Sequence, residues 1–556
     1  MKRRTLLGAA AGTAIGVLDW LSFFRRFGVP GTPKTLGFAE AAAQGMGAEP
    51  RFLIYWFQEG GWDSYSMFSP VDTPNHALMT IPANTLNPSP AWSSQIYRPR
   101  GYGPALGSAV APRTHPATGI NYGYLADDGA ELLPDMAIVS SHAGNTFHSG
   151  GRWEYHYGKY ASYTPMTAAR RPAERTVMQA FCEAYGSSLP LAHVSWHRWL
   201  SDGELEEANY PEGTGYYGKL GPAFAHTNYG RTPTEMRNRL ALLGNVTSAA
   251  RNARIRTYTD DLHQAFLQDK TGETARSFDS AVRIYKQLNG STGVVVNPQT
   301  MFTDPTLRAE FGVQPADEAT TSTSVNGNPA RSKDSPNVNV QALMTFELMT
   351  KGLSAGFFIE NRQIRGYDTH QDRRGIMASR GQNDQKAMLN RDLWTPLKAL
   401  VRKLKGTQYG TSGKSYWDLT TIVLCSEMGR TIQGDVASIL ASSDPDATKY
   451  TKIMEQDCCQ HWRVNSVAFL GGTVQGGKQY GRVGTSSLEA IPIRLNDGSL
   501  DPSFDPLTGV SRGTKDPNSV VTHAGHVYAT ALQLSGINPA GKGLNTAPPM
   551  PFIKKV

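Results

Sequence analysis

Leu419-Thr420-Thr421-Ile422-Val423-Leu424-Cys425 runs without a break into Ser426-Glu427-Met428-Gly429-Arg430-Thr431. Earlier in the chain, Ala355-Gly356-Phe357-Phe358-Ile359 comes shortly before Gly366-Tyr367-Asp368-Thr369-His370. In both places an apolar, strand-like run delivers polar residues just past its carboxyl end. That is where α/β sheets collect their ligand-binding groups. Asp368 and His370 are two apart, so in extended backbone they point to the same side. A carboxylate and an imidazole converging on one point suit a divalent metal, and Glu427 offers a further oxygen ligand.

Working outward, strand-like and helix-like pieces alternate. Phe52-Leu53-Ile54-Tyr55-Trp56-Phe57 enters a glycine turn, Gly60-Gly61, and reads as a central strand. Met136 to Ser140 and Val464 to Leu470 are further strands. Val338 to Leu353, Lys386 to Leu404 and Val520 to Leu534 carry helical spacing. Two or three helices are expected within 233–290. Residues 70–130 are rich in Pro, Gly and aromatics and read as a long structured loop, and 314–338 as a mobile one. This alternation predicts an α/β fold: a three-layer α/β/α sandwich with a mostly parallel central sheet and an inserted helical and loop region at about 200–335.

The chain opens Met1-Lys2-Arg3-Arg4-Thr5-Leu6-Leu7-Gly8, and a moderately apolar run follows to Phe24. Ala41-Ala42-Ala43 precedes Gln44 with small residues suited to cleavage. The pattern predicts a twin-arginine export signal over residues 1–43, with residues 44–556 forming the exported α/β domain. Asp19 and Arg25-Arg26 keep the run short of the roughly 20 apolar residues of a membrane span. The location expected is periplasmic or extracellular. The formal charge is +8, part of it in the signal, and Lys and Arg are scattered. That excludes a dense nucleic-acid-binding surface. Cys182, Cys425, Cys458 and Cys459 lack zinc-ribbon spacing. Cys458 and Cys459 are adjacent and do not bridge each other easily, which leaves a bridge from one of them to Cys182 open. Cys425 reads as a buried thiol.

At this point a resemblance emerges. Gly60-Gly61-Trp62-Asp63 resembles a Gly-Gly-Asn-Asp turn, and Thr146-Phe147-His148-Ser149 stands where an Arg-Ser-His segment is expected. Gly366 to His370 resembles Gly-Phe-Asp-Thr-His, and Ser426 to Thr431 resembles Ser-Glu-Phe-Gly-Arg-Thr. His461-Trp462 and the glycine-rich stretch to Gly481 follow in order. Together they resemble the exported family called domain of unknown function 1501, within the alkaline phosphatase and sulfatase-like superfamily.

The resemblance implies a metal-dependent hydrolase of a small anionic ester. It implies one or two divalent ions (zinc, calcium or magnesium) and a hydroxyl nucleophile at a helix N-terminus. Carried onto this chain, the ligand candidates are Asp63, Asp368, His370, Glu427, His461 and His523 or His526. Thr146 and Ser149 are the nucleophile candidates, with His148 and Arg430 beside them. Each also has a plainer reading. Asp63 suits a turn, Glu427 and Arg430 a structural ion pair, and His461 a packed core position. His523 and His526 suit a helix cap, and Tyr155, Tyr157 and Tyr160 suit packing. Two departures stand out. Phe147 replaces the Ser before His, and Gln460 replaces the Asp before His-Trp, with Asp457 three residues earlier. They keep open a second reading, a catalytically inactive periplasmic or surface scaffold that binds a protein partner.

Overall fold

A computed structural model describes residues 49–58, 60–62, 64–70, 112–146, 148–158, 176–186, 189, 193–196, 233–234, 236–237, 300–318, 337–361, 389–430, 442–445, 448, 461–485, 489–542 and 547–555. The strands that build the main sheet are β1 (Phe52–Gln58), β2 (Met136–Ala143), β3 (Val194–Ser195), β4 (Gly356–Asn361) and β5 (Thr420–Cys425). Two short strands follow, β6 (Gly429–Arg430) and β7 (His461–Trp462), which among the described residues pair only with each other. The main sheet is completed by β8 (Val464–Gly471), β9 (Lys478–Tyr480) and β10 (Thr522–His523). Their order is β9-β2-β8-β5-β1-β4-β3, with β10 also pairing with β2.

The runs read as central strands are central because nothing in them tolerates water. Leu53, Ile54, Tyr55 and Trp56 in β1 are fully buried, as are Ile422, Val423 and Leu424 in β5. Each large apolar side chain so buried stabilises the fold by about 1.5–3 kcal/mol. Burial on both faces is what a continuous apolar run in a parallel sheet requires.

The sheet is mixed. β1 runs parallel to β4 and β5, and β2 runs parallel to β9 and β10. Only β8 is reversed, antiparallel to both β2 and β5. The reversal follows from the route of the chain. After β5 the chain leaves at the carboxyl edge, and β6 pairs with β7 there, Arg430 opposite His461. It then re-enters the sheet from the edge it left.

The helices are α1 (His148–Tyr157), α2 (Val177–Tyr185), α3 (Val338–Thr350), α4 (Thr395–Gly406) and α5 (Ala524–Leu534). α1, α2 and α5 pack on one another, and α3 packs on α4. Phe57 meets Tyr155 of α1, whereas Phe52 of opposite parity meets Tyr409 and Tyr416. The α3 side chain Gln341 donates to the Glu360 carbonyl at 2.8 Å and accepts from its N–H at 2.9 Å. Its amide satisfies both backbone groups where short β3 no longer covers β4. The arrangement is an α/β fold.

Several expectations shift. The final helix begins at Ala524, not Val520, because 519–520 and 522–523 are in strands and His523 caps the helix. The helix expected over Lys386 to Leu404 is a π-turn, Asn390–Trp394, leading into α4. Within the loop expected over 70–130, a hairpin pairs Arg113–Thr114 with Asn121–Tyr122, and 3-10 turns span Tyr124–Asp135. Residues 315–318 form a further 3-10 turn. Cys182 and Cys425 are buried. Residues 1–43, where a signal is expected, most of the 200–335 region and Cys458-Cys459 lie outside the described residues. No helix among the described residues is long and apolar enough to cross a membrane.

Candidate functional site

β1, β2, β4 and β5 all end at one edge of the sheet, and the polar residues singled out in the sequence follow those ends. Gly60 and Gly61 both have positive φ (108° and 72°), which a side chain would resist. The turn they make aims the Gly60 N–H at Glu427 Oε1, 2.6 Å away. The Trp62 N–H donates to Ser426 Oγ at 3.2 Å, and Ser426 Oγ in turn donates to Glu427 Oε2 at 3.1 Å. Glu427 is fully buried, with both carboxylate oxygens engaged.

Asn465, at the start of β8, locks this apposition, and nothing in the sequence singled it out. Its Oδ1 accepts from Trp62 Nε1 (2.6 Å), Ser64 Oγ (3.0 Å) and the Ser466 N–H (2.8 Å). Its Nδ2 donates to the Ser426 carbonyl at 2.7 Å. A fully buried amide so connected fixes the two strand-end turns against each other.

The segment after β2 joins them. The Asn145 N–H donates to the Glu427 carbonyl at 3.0 Å. A Cβ at Gly144 would stand 2.6 Å from that carbonyl oxygen, and one at Gly151 only 2.5 Å from Glu427 Cβ. The first half of α1 therefore lies directly on the Glu427 turn. Thr146 precedes α1 and is exposed, while His148 and Ser149 occupy its first turn. The first turn of a helix carries N–H groups with no partner inside the helix and the positive end of its dipole.

Behind α1 runs a buried hydrogen-bond relay. The Thr522 hydroxyl donates to the Ser141 carbonyl at 2.8 Å. Its oxygen lies 3.0 Å from His142 Nδ1, so Nδ1 carries the ring proton. His142 Nε2 then accepts from the Tyr155 hydroxyl at 2.7 Å. Burial first, then His523 and His526, hold the His142 imidazole well below its ordinary value. Burial, with Cys425, Tyr55, Glu154 and Glu427 nearby, raises the Tyr155 phenol. Both groups stay neutral, as the relay needs. Tyr155 does pack, edge-on to Phe57, but its hydroxyl also ties α1 to β2 and β10. Tyr155→Phe is expected to strand the buried Nε2 acceptor and cost about 1–3 kcal/mol in urea unfolding. A loss under about 0.5 kcal/mol would remove the relay from the account.

His523 and His526 form a capping box at α5. His523 Nδ1 accepts from the Gly525 N–H at 3.0 Å, and His526 Nδ1 from the His523 N–H at 3.2 Å. The ring protons then sit on the Nε2 atoms. Burial lowers His523, and burial followed by His523 lowers His526 to about 3.

Asp63, Asp368, His370, Phe147, Asp457 and Gln460 lie outside the described residues. So do the side chains of His148, Ser149, Arg430 and His461. Among the described residues, no three His, Cys, Asp or Glu come together as a metal site. Of the donors proposed from the sequence, the described ones are Glu427, His523 and His526, and each is engaged in hydrogen bonds within the protein.

Fold and site together define an α/β protein with a polar cluster at the carboxyl edge of its sheet. The chain matches the family described as protein of unknown function (DUF1501) over residues 51–497, and it belongs to that family. No curated protein matches it. Among solved structures, the crystal structure of Ps i-CgsB in complex with k-i-k-neocarrahexaose is 9% identical, with a TM-score of 0.31. That alignment covers 88% of this chain and 73% of the other. A likeness of that size carries no argument.

Proposed function

We propose that this protein is an exported, metal-dependent hydrolase of a small anionic ester, a phosphate or a sulfate. In this reading the fold is a three-layer α/β/α sandwich of the alkaline phosphatase and sulfatase-like type. Asp63, Asp368 and His370, with Glu427 or His461, hold one or two divalent ions. Bound there, the metal supplies positive charge to the ester's oxygens. Thr146 or Ser149 is the nucleophile, and Arg430 and His148 orient the anion. His523 and His526 serve as a cap, since their Nδ1 atoms accept backbone N–H groups.

The observation that carries the reading is the convergence at one edge. The Gly60–Trp62 turn, the Ser426–Glu427 turn and Asn145, in the segment ahead of α1, are bonded into one cluster. Three strand ends meeting just ahead of a helix suit an anionic substrate.

A catalytically inactive scaffold has its own support. Both Glu427 oxygens already accept hydrogen bonds from Gly60 and Ser426, as a purely structural carboxylate would. Phe147 and Gln460 replace residues that the hydrolase reading would use. Purified protein assayed on aryl phosphates, phosphodiesters and aryl sulfates with zinc, calcium, magnesium or manganese decides between them. Turnover with bound divalent metal supports the hydrolase, and neither supports the scaffold.

The export reading has a separate test. Replacing Arg3 and Arg4 by Lys is expected to leave the protein in the cytoplasm. Unchanged export would end the twin-arginine reading. A mature N-terminus other than Gln44, found by mass spectrometry, would move the cleavage site.

A further inference from the structure

Asp505-Pro506-Leu507-Thr508-Gly509-Val510-Ser511-Arg512 closes a hairpin that fastens itself. Asp505 Oδ1 accepts from the Leu507 N–H at 2.9 Å and the Thr508 N–H at 2.6 Å. The Asp505 N–H donates to the Val510 carbonyl at 2.8 Å. Phe504 faces Ser511 across the two arms, and the Arg512 guanidinium pairs with the Asp505 carboxylate. At the base, the Arg512 N–H donates to the Ser503 carbonyl at 2.7 Å. An Asp-Pro start with a Gly shortly after it suits such a turn. The shape of the tip is therefore set before anything touches it.

Leu507 and Val510 are both 53% exposed at this tip, and Pro506 beside them is exposed too. Among the described residues, Leu507 and Val510 are the only large apolar side chains left exposed. One such residue on a surface is ordinary. Two on the tip of one rigid hairpin make a small apolar head. The head is also anchored. The Leu507 carbonyl accepts from the Thr485 N–H at 2.8 Å, and the Gly484 N–H donates to the Glu489 carbonyl at 3.0 Å. The Glu489 carboxylate accepts from Arg463 Nε and Nη2 at 3.0 and 2.7 Å, and Arg463 directly precedes β8. These bonds tie the hairpin to the edge of the sheet where β8 begins.

Charge and shape say what the head meets. Residues 511–515 are exposed and bring Arg512 and Lys515 beside it. The flanking carboxylates are turned inward. Asp505 serves its own turn and Arg512, and Asp516 accepts from the Asn518 N–H at 2.9 Å and from Arg494 Nε at 3.2 Å. Lys515 has no acidic partner among the described residues. A convex head does not suit a small ligand, whose sites are concave. Two side chains also fall well short of the roughly 1,000 Å² that a stable contact with a second copy needs. A lipid surface makes neither demand. It deforms around apolar side chains, and anionic headgroups attract the bases beside them. We propose that the 505–515 hairpin is a membrane-contact point for an anionic lipid surface. Leu507 and Val510 enter the boundary between headgroups and acyl chains, while Arg512 and Lys515 stay among the headgroups. The contact is peripheral, touching one leaflet, and it does not depend on the hydrolase reading.

The test is sedimentation of the full chain with vesicles of mixed phosphatidylglycerol and phosphatidylcholine, and with vesicles of phosphatidylcholine alone. Wild type is expected to bind the anionic vesicles at least about fivefold better than the neutral ones. Leu507→Ser combined with Val510→Ser should lower binding to anionic vesicles about tenfold or more. Lys515→Gln should lower it about fivefold. Because these side chains are exposed, the urea midpoints of the variants should match that of wild type, so that lost binding is not lost folding. Residues 1–43 are common to every protein compared, so a difference between them belongs to the hairpin. Wild type that stays in the supernatant with anionic vesicles overturns the proposal. So does equal binding to neutral vesicles, or a double variant that binds like wild type. A dimer in solution that the double variant converts to monomers, seen by light scattering, also overturns it and makes the head a contact between copies.

Discussion

On the hydrolase reading, Asp368→Asn should yield a folded protein that binds no divalent metal and has no turnover. The substitution preserves shape and removes charge. A neutral amide oxygen binds a divalent cation more weakly than a carboxylate, so the effect reports electrostatics rather than packing. Even an outer partner of a metal ligand is worth 10–100-fold in affinity or activity, so loss of a ligand itself should cost at least about 10²-fold in turnover. β4 ends at the same edge as β1 and β5, and the hydrolase reading uses the Gly366–His370 segment that follows it in sequence. His370→Ala should act alike, through loss of a nitrogen donor. The measurements are metal content by mass spectrometry, turnover of an aryl ester, and the thermal midpoint. The scaffold reading expects only a stability change, of about 1–3 kcal/mol for an unbalanced polar cluster. A variant that keeps wild-type metal and turnover would remove Asp368 from the site.

The fold was legible where physics leaves few options. A run such as Leu419 to Cys425 has no polar face to offer water, so it reads as a strand buried on both sides, and β5 is one. Direction was less legible. Val464 to Leu470 looks the same in composition whether it runs with its neighbours or against them. Its reversal is set by the β6–β7 pair, which returns the chain to the edge it left. The start of α5 was missed because histidine is an uncommon cap, and His523 satisfies the Gly525 N–H with a ring nitrogen in place of the usual hydroxyl or carboxylate.

At the site, the Gly60-Gly61 turn and Glu427 could be seen in the sequence, since their position after an apolar run already says where they lie. Asn465 could not. An Asn inside a strand has ordinary solvent-facing uses. Only the approach of Trp62 and Ser426 distinguishes it. Tyr155 was read as packing because a phenol ring packs well, and its neighbour His142 carries no sequence sign of the relay.

Gly429→Ala is expected to destabilise the protein by about 3 kcal/mol or more, the upper range for overpacking a core. A Cβ at this position would stand 1.7 Å from the Val464 carbonyl oxygen and 3.3 Å from Ser64 Oγ. Neither can retreat cheaply. Val464 opens β8, which is hydrogen-bonded on both sides, and Ser64 donates to Asn465. Relief must come from backbone movement of β6 or β8, and either pulls on the Asn465 contacts that hold the two strand-end turns together. On the hydrolase reading the variant should therefore lose turnover even under conditions where it remains folded. Gly406→Ala is the control, because a Cβ at the end of α4 meets nothing within 4 Å. There the better helix propensity of alanine should stabilise by up to about 1 kcal/mol. Urea unfolding of the two variants measures the contrast. If both unfold at the same denaturant concentration, close packing of the Gly429 turn against β8 is not what sets the geometry of this edge.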